Sequence, residues 1–149
     1  MAVVLILAGG AVAANEQGRT VITSDTLLFD YQRSIAVFEG NVKVEDSQVT
    51  LTCEKLYAYF DKNNQIDSVV ARENVHVVQA DRQARAGKAV YTAKDGAIVL
   101  TEQPRLLRGS DELRGDEIKI FTHSEKVIST PGRLVVFPRE GERVIPVPR

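Results

Sequence analysis

Few residues in this chain have the types needed for chemistry, and their spacing decides how each is read. The two histidines, His76 and His123, lie far apart and form no HExxH or comparable ligand pattern. His76 falls on an expected strand and His123 in an expected turn. The single cysteine, Cys53, excludes an internal disulfide framework and any multi-cysteine metal site. There is no G-x-S-x-G elbow and no glycine loop of the phosphate-cradling kind. Asp25, Glu54 and Asp116 could act as paired carboxylates in acid–base work. Their recurrence at matching places along the chain fits a corner hydrogen bond better. Cys53 shares its slot with Ser, Ala and Gly elsewhere, which fits a structural thiol. Arg82, Arg85, Lys88, Arg105 and Arg108 cluster and could meet phosphates, although a solvated charged face is the commoner use of such a group. No catalytic residue, metal site or cofactor site emerges, and the chain reads as a non-enzyme.

The elements that position these residues follow from composition and periodicity. The chain has 149 residues, of which 44% are hydrophobic and 26% charged, enough apolar surface for one folded domain. Lys and Arg number 19 against 20 Asp and Glu, a net charge of −1 that argues against a broad footprint for nucleic acid or anionic membrane. Tryptophan is absent and aromatics reach only 6%, so the interior is aliphatic. Val3 to Ala8 is an uninterrupted apolar run that leads through Gly9-Gly10 to Ala11-Val12-Ala13-Ala14. It reads as a secretory leader over residues 1–14, too short to span a bilayer. No Lys or Arg precedes it, so the leader is truncated or atypical, and a buried first strand or helix is the other reading.

A repeat organises the rest. Ser24-Asp25-Thr26-Leu27-Leu28-Phe29 aligns with Cys53-Glu54-Lys55-Leu56-Tyr57-Ala58, Ala86-Gly87-Lys88-Ala89-Val90-Tyr91 and Gly115-Asp116-Glu117-Ile118-Lys119-Ile120. Phe38-Glu39-Gly40-Asn41-Val42-Lys43-Val44 likewise matches Ala71-Arg72-Glu73-Asn74-Val75-His76-Val77, with looser copies at Leu100 to Leu106 and Ser129 to Val135. Turn-forming segments separate the halves, Asp95-Gly96 being the strongest hairpin signal. Apolar residues alternate with period two, which is strand periodicity. The alternation slips at the acidic slot: Ile22 and Ser24 share one parity, Leu27 and Phe29 the other. A strand that changes face needs a bulge or a sharp bend. Similar breaks are expected at Gly40-Asn41, Asn74, Pro104 and Pro131-Gly132. Four hairpins, each creased twice, predict an all-β fold: a sheet folded over on itself, close to a jelly roll in section.

These units resemble the OstA-like (LptA) family of periplasmic lipopolysaccharide-transport proteins. Phe38-Glu39-Gly40-Asn41-Val42 is the most specific piece, and the repeats carry the likeness over residues 20–138. The resemblance implies a creased β-jelly roll, or β-taco, of stacked antiparallel hairpins over residues 15–138, followed by a tail over 139–149. It implies a periplasmic carrier that holds lipid A acyl chains in an apolar groove. The interior candidates are Leu27, Phe29, Phe38, Val42, Val44, Leu56, Val75, Tyr91, Leu100, Leu106, Ile118 and Ile120. It also implies end-to-end assembly of copies by edge strands, between an LptC-like inner-membrane component and an LptD-like outer-membrane translocon. Val21 to Asp30 would face the inner-membrane side, and Val127 to Phe137 the next copy or the translocon. The third and fourth units lack the Gly-Asn pair, which leaves the C-terminal docking mode open. The other reading is a structural module that docks or polymerises by strand addition without holding lipid. An open apolar groove between the facing sheets discriminates the two.

Overall fold

The computed structural model describes residues 2–5, 19–124 and 126–137. Within them the chain forms thirteen strands of one antiparallel sheet. The first unit comprises β2 (Thr20–Thr23), β3 (Thr26–Asp30) and β4 (Ile35–Glu45). The second pairs β5 (Val49–Phe60) with β6 (Ile66–Gln79), and the third comprises β7 (Arg82–Thr92), β8 (Ala97–Thr101) and β9 (Arg105–Arg108). The fourth contains β10 (Asp111–Arg114), β11 (Glu117–Phe121), β12 (Val127–Thr130) and β13 (Arg133–Val135). A further strand, β1 (Ala2–Leu5), pairs antiparallel with β2. Four residues of the expected leader are therefore in strand. Residues 6–14, the tail over 139–149 and Pro138 lie outside the described residues.

Each unit crosses between two limbs at its crease. The first limb contains β3, β8, β11, β12 and the adjoining halves of β4 to β7. The second contains β1, β2, β9, β10, β13 and the remaining halves. The parity slip expected from the sequence is present. On β5, Leu51 and Cys53 are buried before the crease and Leu56 and Ala58 after it; on β7, Ala84 and Ala86 give way to Ala89. The return strands bend through pairs of left-handed residues: Gly40-Asn41, Glu73-Asn74 and Glu102-Gln103 all have positive φ. Such a pair inserts an extra residue and a sharp bend into the ladder, and the pairing of β4 with β5 jumps there from Glu39↔Lys55 to Val42↔Cys53.

Backbone bonds lock outgoing and returning creases together. The Asp25 N–H donates to the Gly40 carbonyl (2.8 Å), Gly87 to Glu102 (3.0 Å) and Asp116 to Thr130 (2.9 Å). At the hairpin ends, Asp30, Asp46 and Asp61 each accept two backbone N–H groups through one carboxylate oxygen. This is the local bonding that makes Asp a turn residue. Gly96 closes the β7–β8 hairpin at φ +60°. The inner faces of both limbs share one apolar cluster, with Phe38, Leu56, Leu100 and Ile118 from the first limb and Ile22, Val42 and Val75 from the second. The creases form the closed side of the fold. The hairpin ends of the two limbs form the opposite side.

Candidate functional site

Along that opposite side the limbs leave a cavity of about 560 Å³. Its walls come from both limbs: Ile22, Val44, Val49 and Leu51 from the second, and Leu56, Ile66, Val69, Tyr91 and Ile98 from the first. Polar groups gather at the hairpin ends, with Asp46, Ser47 and Gln48 on one lip and Gln65, Thr122 and His123 on the other. Strand alternation explains the layout. Inner residues toward the hairpin ends, such as Val44, Val49, Ile66 and Val69, are only half-buried and line open space, whereas Ile22 and Leu56 near the creases are buried at its floor. The volume lies within the range typical of small-molecule sites, which are mostly apolar with a few placed polar groups.

Tyr91 shows the electrostatics of the mouth. Burial lifts its phenol above the ordinary tyrosine range, and the negative charge of Asp46 adds to the shift. The hydroxyl therefore stays neutral at physiological pH. Thr122 anchors its lip, its hydroxyl donating to the Gly96 carbonyl at 2.9 Å.

The twelve interior candidates all lie in the core cluster or pack against it, but they do different work. Val44, Leu56 and Tyr91 line the cavity. Phe38, Val42, Val75, Leu100, Leu106, Ile118 and Ile120 are sealed in packed core away from it. Leu27 and Phe29 sit half-buried on β3, where the Phe29 ring lies 5.4 Å from that of Phe60. Sequence reasoning missed the far ends of the strands (Val49, Ile66, Val69, Ile98) and the polar lip. Their common signal is inner parity next to a hairpin turn.

The chemistry-bearing residues fall elsewhere. Cys53 lies at the β5 crease, its thiol donating to the Lys55 carbonyl at 3.3 Å, and burial pushes its pKa up to about 11. It is therefore a protonated thiol and no nucleophile near neutral pH. Asp25 accepts a hydrogen bond from the Asn41 side-chain amide at 3.0 Å, a corner bond across the first crease. Glu54 and Asp116 are exposed at the corresponding corners. His76 stands outside the second limb with Nε2 3.0 Å from the Gln83 side-chain oxygen. The five clustered basic residues separate. Arg82 bonds Gln79 (3.1 Å) and Arg108 pairs with Asp81 (2.9 Å); Lys88 lies on the first limb opposite Arg72, and Arg85 faces Arg105 across β7 and β9.

The creased sheet of repeated hairpins has counterparts among known proteins. The model of the family described as LptA/(LptD N-terminal domain) LPS transport protein matches residues 21–126, most of the chain. The chain belongs to this family of lipopolysaccharide-transport proteins. Among solved structures it is similar to LptH of Pseudomonas aeruginosa, described as the LptA homologous periplasmic component of the conserved lipopolysaccharide transport device. The TM-score is 0.71 at 18% identity, over 80% of this chain and 95% of that one. At that identity the likeness establishes the fold, and the β-jelly roll expected from the repeats is the fold observed. No curated protein matches the sequence.

Proposed function

We propose that this protein is a periplasmic lipopolysaccharide carrier whose lipid A acyl chains enter between the limbs at the hairpin-end side. The observation that carries the reading is the apolar cavity of about 560 Å³ with a polar lip. Val44 and Tyr91 are its acyl-chain contacts, joined by Val69 from beyond the sequence-based set, with the buried Leu56 and Ile98 forming the floor beneath them. The remaining interior candidates hold the limbs in place. The cavity favours this reading over a docking module with no room for lipid.

Transport between membranes follows from the ends of the array. Copies join end to end through β3 on one side and β12 and β13 on the other, linking an LptC-like inner-membrane component to an LptD-like translocon. Cleavage of the leader after Ala13 or Ala14 would remove β1 and leave β2 as a further free edge for the inner-membrane partner. A photo-crosslinker at Tyr91 is expected to capture lipopolysaccharide well above the same probe at Lys62, which is exposed in a hairpin turn. Equal labelling at the two positions refutes lipid carriage in the groove.

A further inference from the structure

The outer face of the second limb carries a row of like charges that the groove does not use. The strand pairings place Lys43, Thr52, His76, Arg85, Arg105, Arg114 and Arg133 directly opposite one another across β4, β5, β6, β7, β9, β10 and β13. Their parity is opposite to that of the buried Val42, Leu51, Val75, Ala84 and Leu106, so the row points outward. With neighbouring strands about 4.8 Å apart, the four arginines extend over roughly 14 Å. Like charges directly opposed across strands are unfavourable, and one such contact in a sheet is commonplace, whereas four consecutive arginines form a sustained opposition to folding.

Two carboxylates pair with members of the row, and Glu54 and Asp116 stand exposed at the creases beyond Thr52 and Arg114. Glu45 pairs with Lys43 (2.5 Å) at the far end, and Glu112 lies against Arg114 and within 3.9 Å of Arg105. Arg114's hydrogen bond holds the Glu112 carboxyl below the ordinary range, and the charges of Arg114, Arg105 and Arg133 act in the same direction. Among the described residues no carboxylate pairs with Arg85 or Arg133, and both are exposed. A chain of net charge −1 thus concentrates a positive surplus on one sheet face.

We infer that this arginine row docks the second limb onto the phosphate headgroups of an anionic bilayer. All four strongest cations are arginine, whose planar fork matches phosphate oxygens. The surface is an open sheet face without a pocket, which suits a flat array of phosphates rather than one enclosed ligand. A protein interface is usually centred on Tyr, Trp, Phe or other large apolar side chains, with arginine among them, and this row contains none of those apolar residues. The row lies nearest the creases on the outside of the limb, whereas the cavity opens at the hairpin ends inside. A lipid seated in the groove therefore cannot present its headgroup to it, and the inference stands apart from the groove's cargo.

The test is flotation of the full chain with vesicles of phosphatidylcholine alone and with about 40% phosphatidylglycerol, at low and high salt. Binding is expected only to the anionic vesicles and is expected to fade as salt shortens the screening length. Each arginine removed should weaken partition about fivefold, so Arg85→Gln, Arg105→Gln, Arg114→Gln and Arg133→Gln together should lower it about 600-fold. Should that variant fail to fold, Arg85→Gln with Arg133→Gln, which removes the two unpaired members, should still lose more than about tenfold. A charge-matched variant at the first-limb hairpin turns (Arg33, Lys62, Lys94 and Lys126 to Gln) should partition like the parent. Equal binding to neutral and anionic vesicles, or undiminished binding by the row variants, overturns the inference. Release from vesicles by millimolar inorganic phosphate at constant ionic strength also overturns it, in favour of a soluble phosphate ligand.

Discussion

Gly115 and Gly109 both sit at bends beside the second limb, for different physical reasons. A Cβ on Gly115 would meet the Ser129 hydroxyl and lie 2.5 Å from the Pro131 carbonyl, so it would collide with backbone that cannot rotate away. A Cβ on Gly109 would meet nothing within 4 Å, but the residue has φ +61°. Gly115→Ala should therefore destabilise the fold by about 1–3 kcal/mol through overpacking, and Gly109→Ala by about 1 kcal/mol through left-handed backbone strain. Urea midpoints measured side by side should rank Gly115→Ala lower; the reverse order would mean that the fourth crease tolerates separation. The small-residue slot at Gly115 is legible in the repeat, because Ser24, Cys53 and Ala86 share it. What the repeat could not display is that Gly40 makes room for the Asp25 carboxylate, since that contact spans two strands.

At the scale of the strand, period-two alternation and its slip at the acidic slots were enough to place both limbs. The slip is a covalent property of one strand and needs no knowledge of its neighbours. Pairing at the ends of the array is different, because an edge is defined by what is missing. Among the described residues β3 pairs only with β4, β12 only with β11, and β13 only with β10. These edge strands expose large apolar side chains: Leu28 at 65%, Ile128 at 52% and Leu134 at 63%. Unpaired edges with apolar side chains favour addition of a further strand, and inserted charges oppose it. The parent chain should therefore associate with rising concentration in sedimentation velocity. Ile128→Asp with Leu134→Asp should raise the dissociation constant more than about tenfold while leaving the strand content seen by circular dichroism intact. A parent that stays monomeric throughout, or a variant that associates equally well, rules out assembly through this end.

Over the whole molecule, one interior serves as both core and groove, and this division was the least legible part of the chain. Parity says which side chains point inward, and all twelve expected residues do so. It does not say how far the limbs diverge toward their hairpin ends, which depends on the angle set at eight creases at once. The net charge concealed structure in a similar way, averaging a basic row on one face with acids spread elsewhere. Core and groove can be separated by paired substitutions. Val69 is half-buried and lines the cavity, so Val69→Phe projects into space the fold leaves open. Its unfolding free energy should stay within about 1 kcal/mol of the parent, below the 1–3 kcal/mol usual for overpacking a filled core. If the cavity holds the acyl chains as proposed, lipopolysaccharide capture should nonetheless fall more than about tenfold, because the ring fills that space. Leu100 is wholly buried away from the cavity, and Leu100→Ala should cost about 2–5 kcal/mol while the folded fraction binds lipid like the parent. Denaturation and lipid binding measured on both variants should therefore dissociate in opposite directions. If Val69→Phe binds lipid normally, the acyl chains lie elsewhere; if it unfolds as readily as Leu100→Ala, the cavity closes in solution and the limbs pack along their full depth.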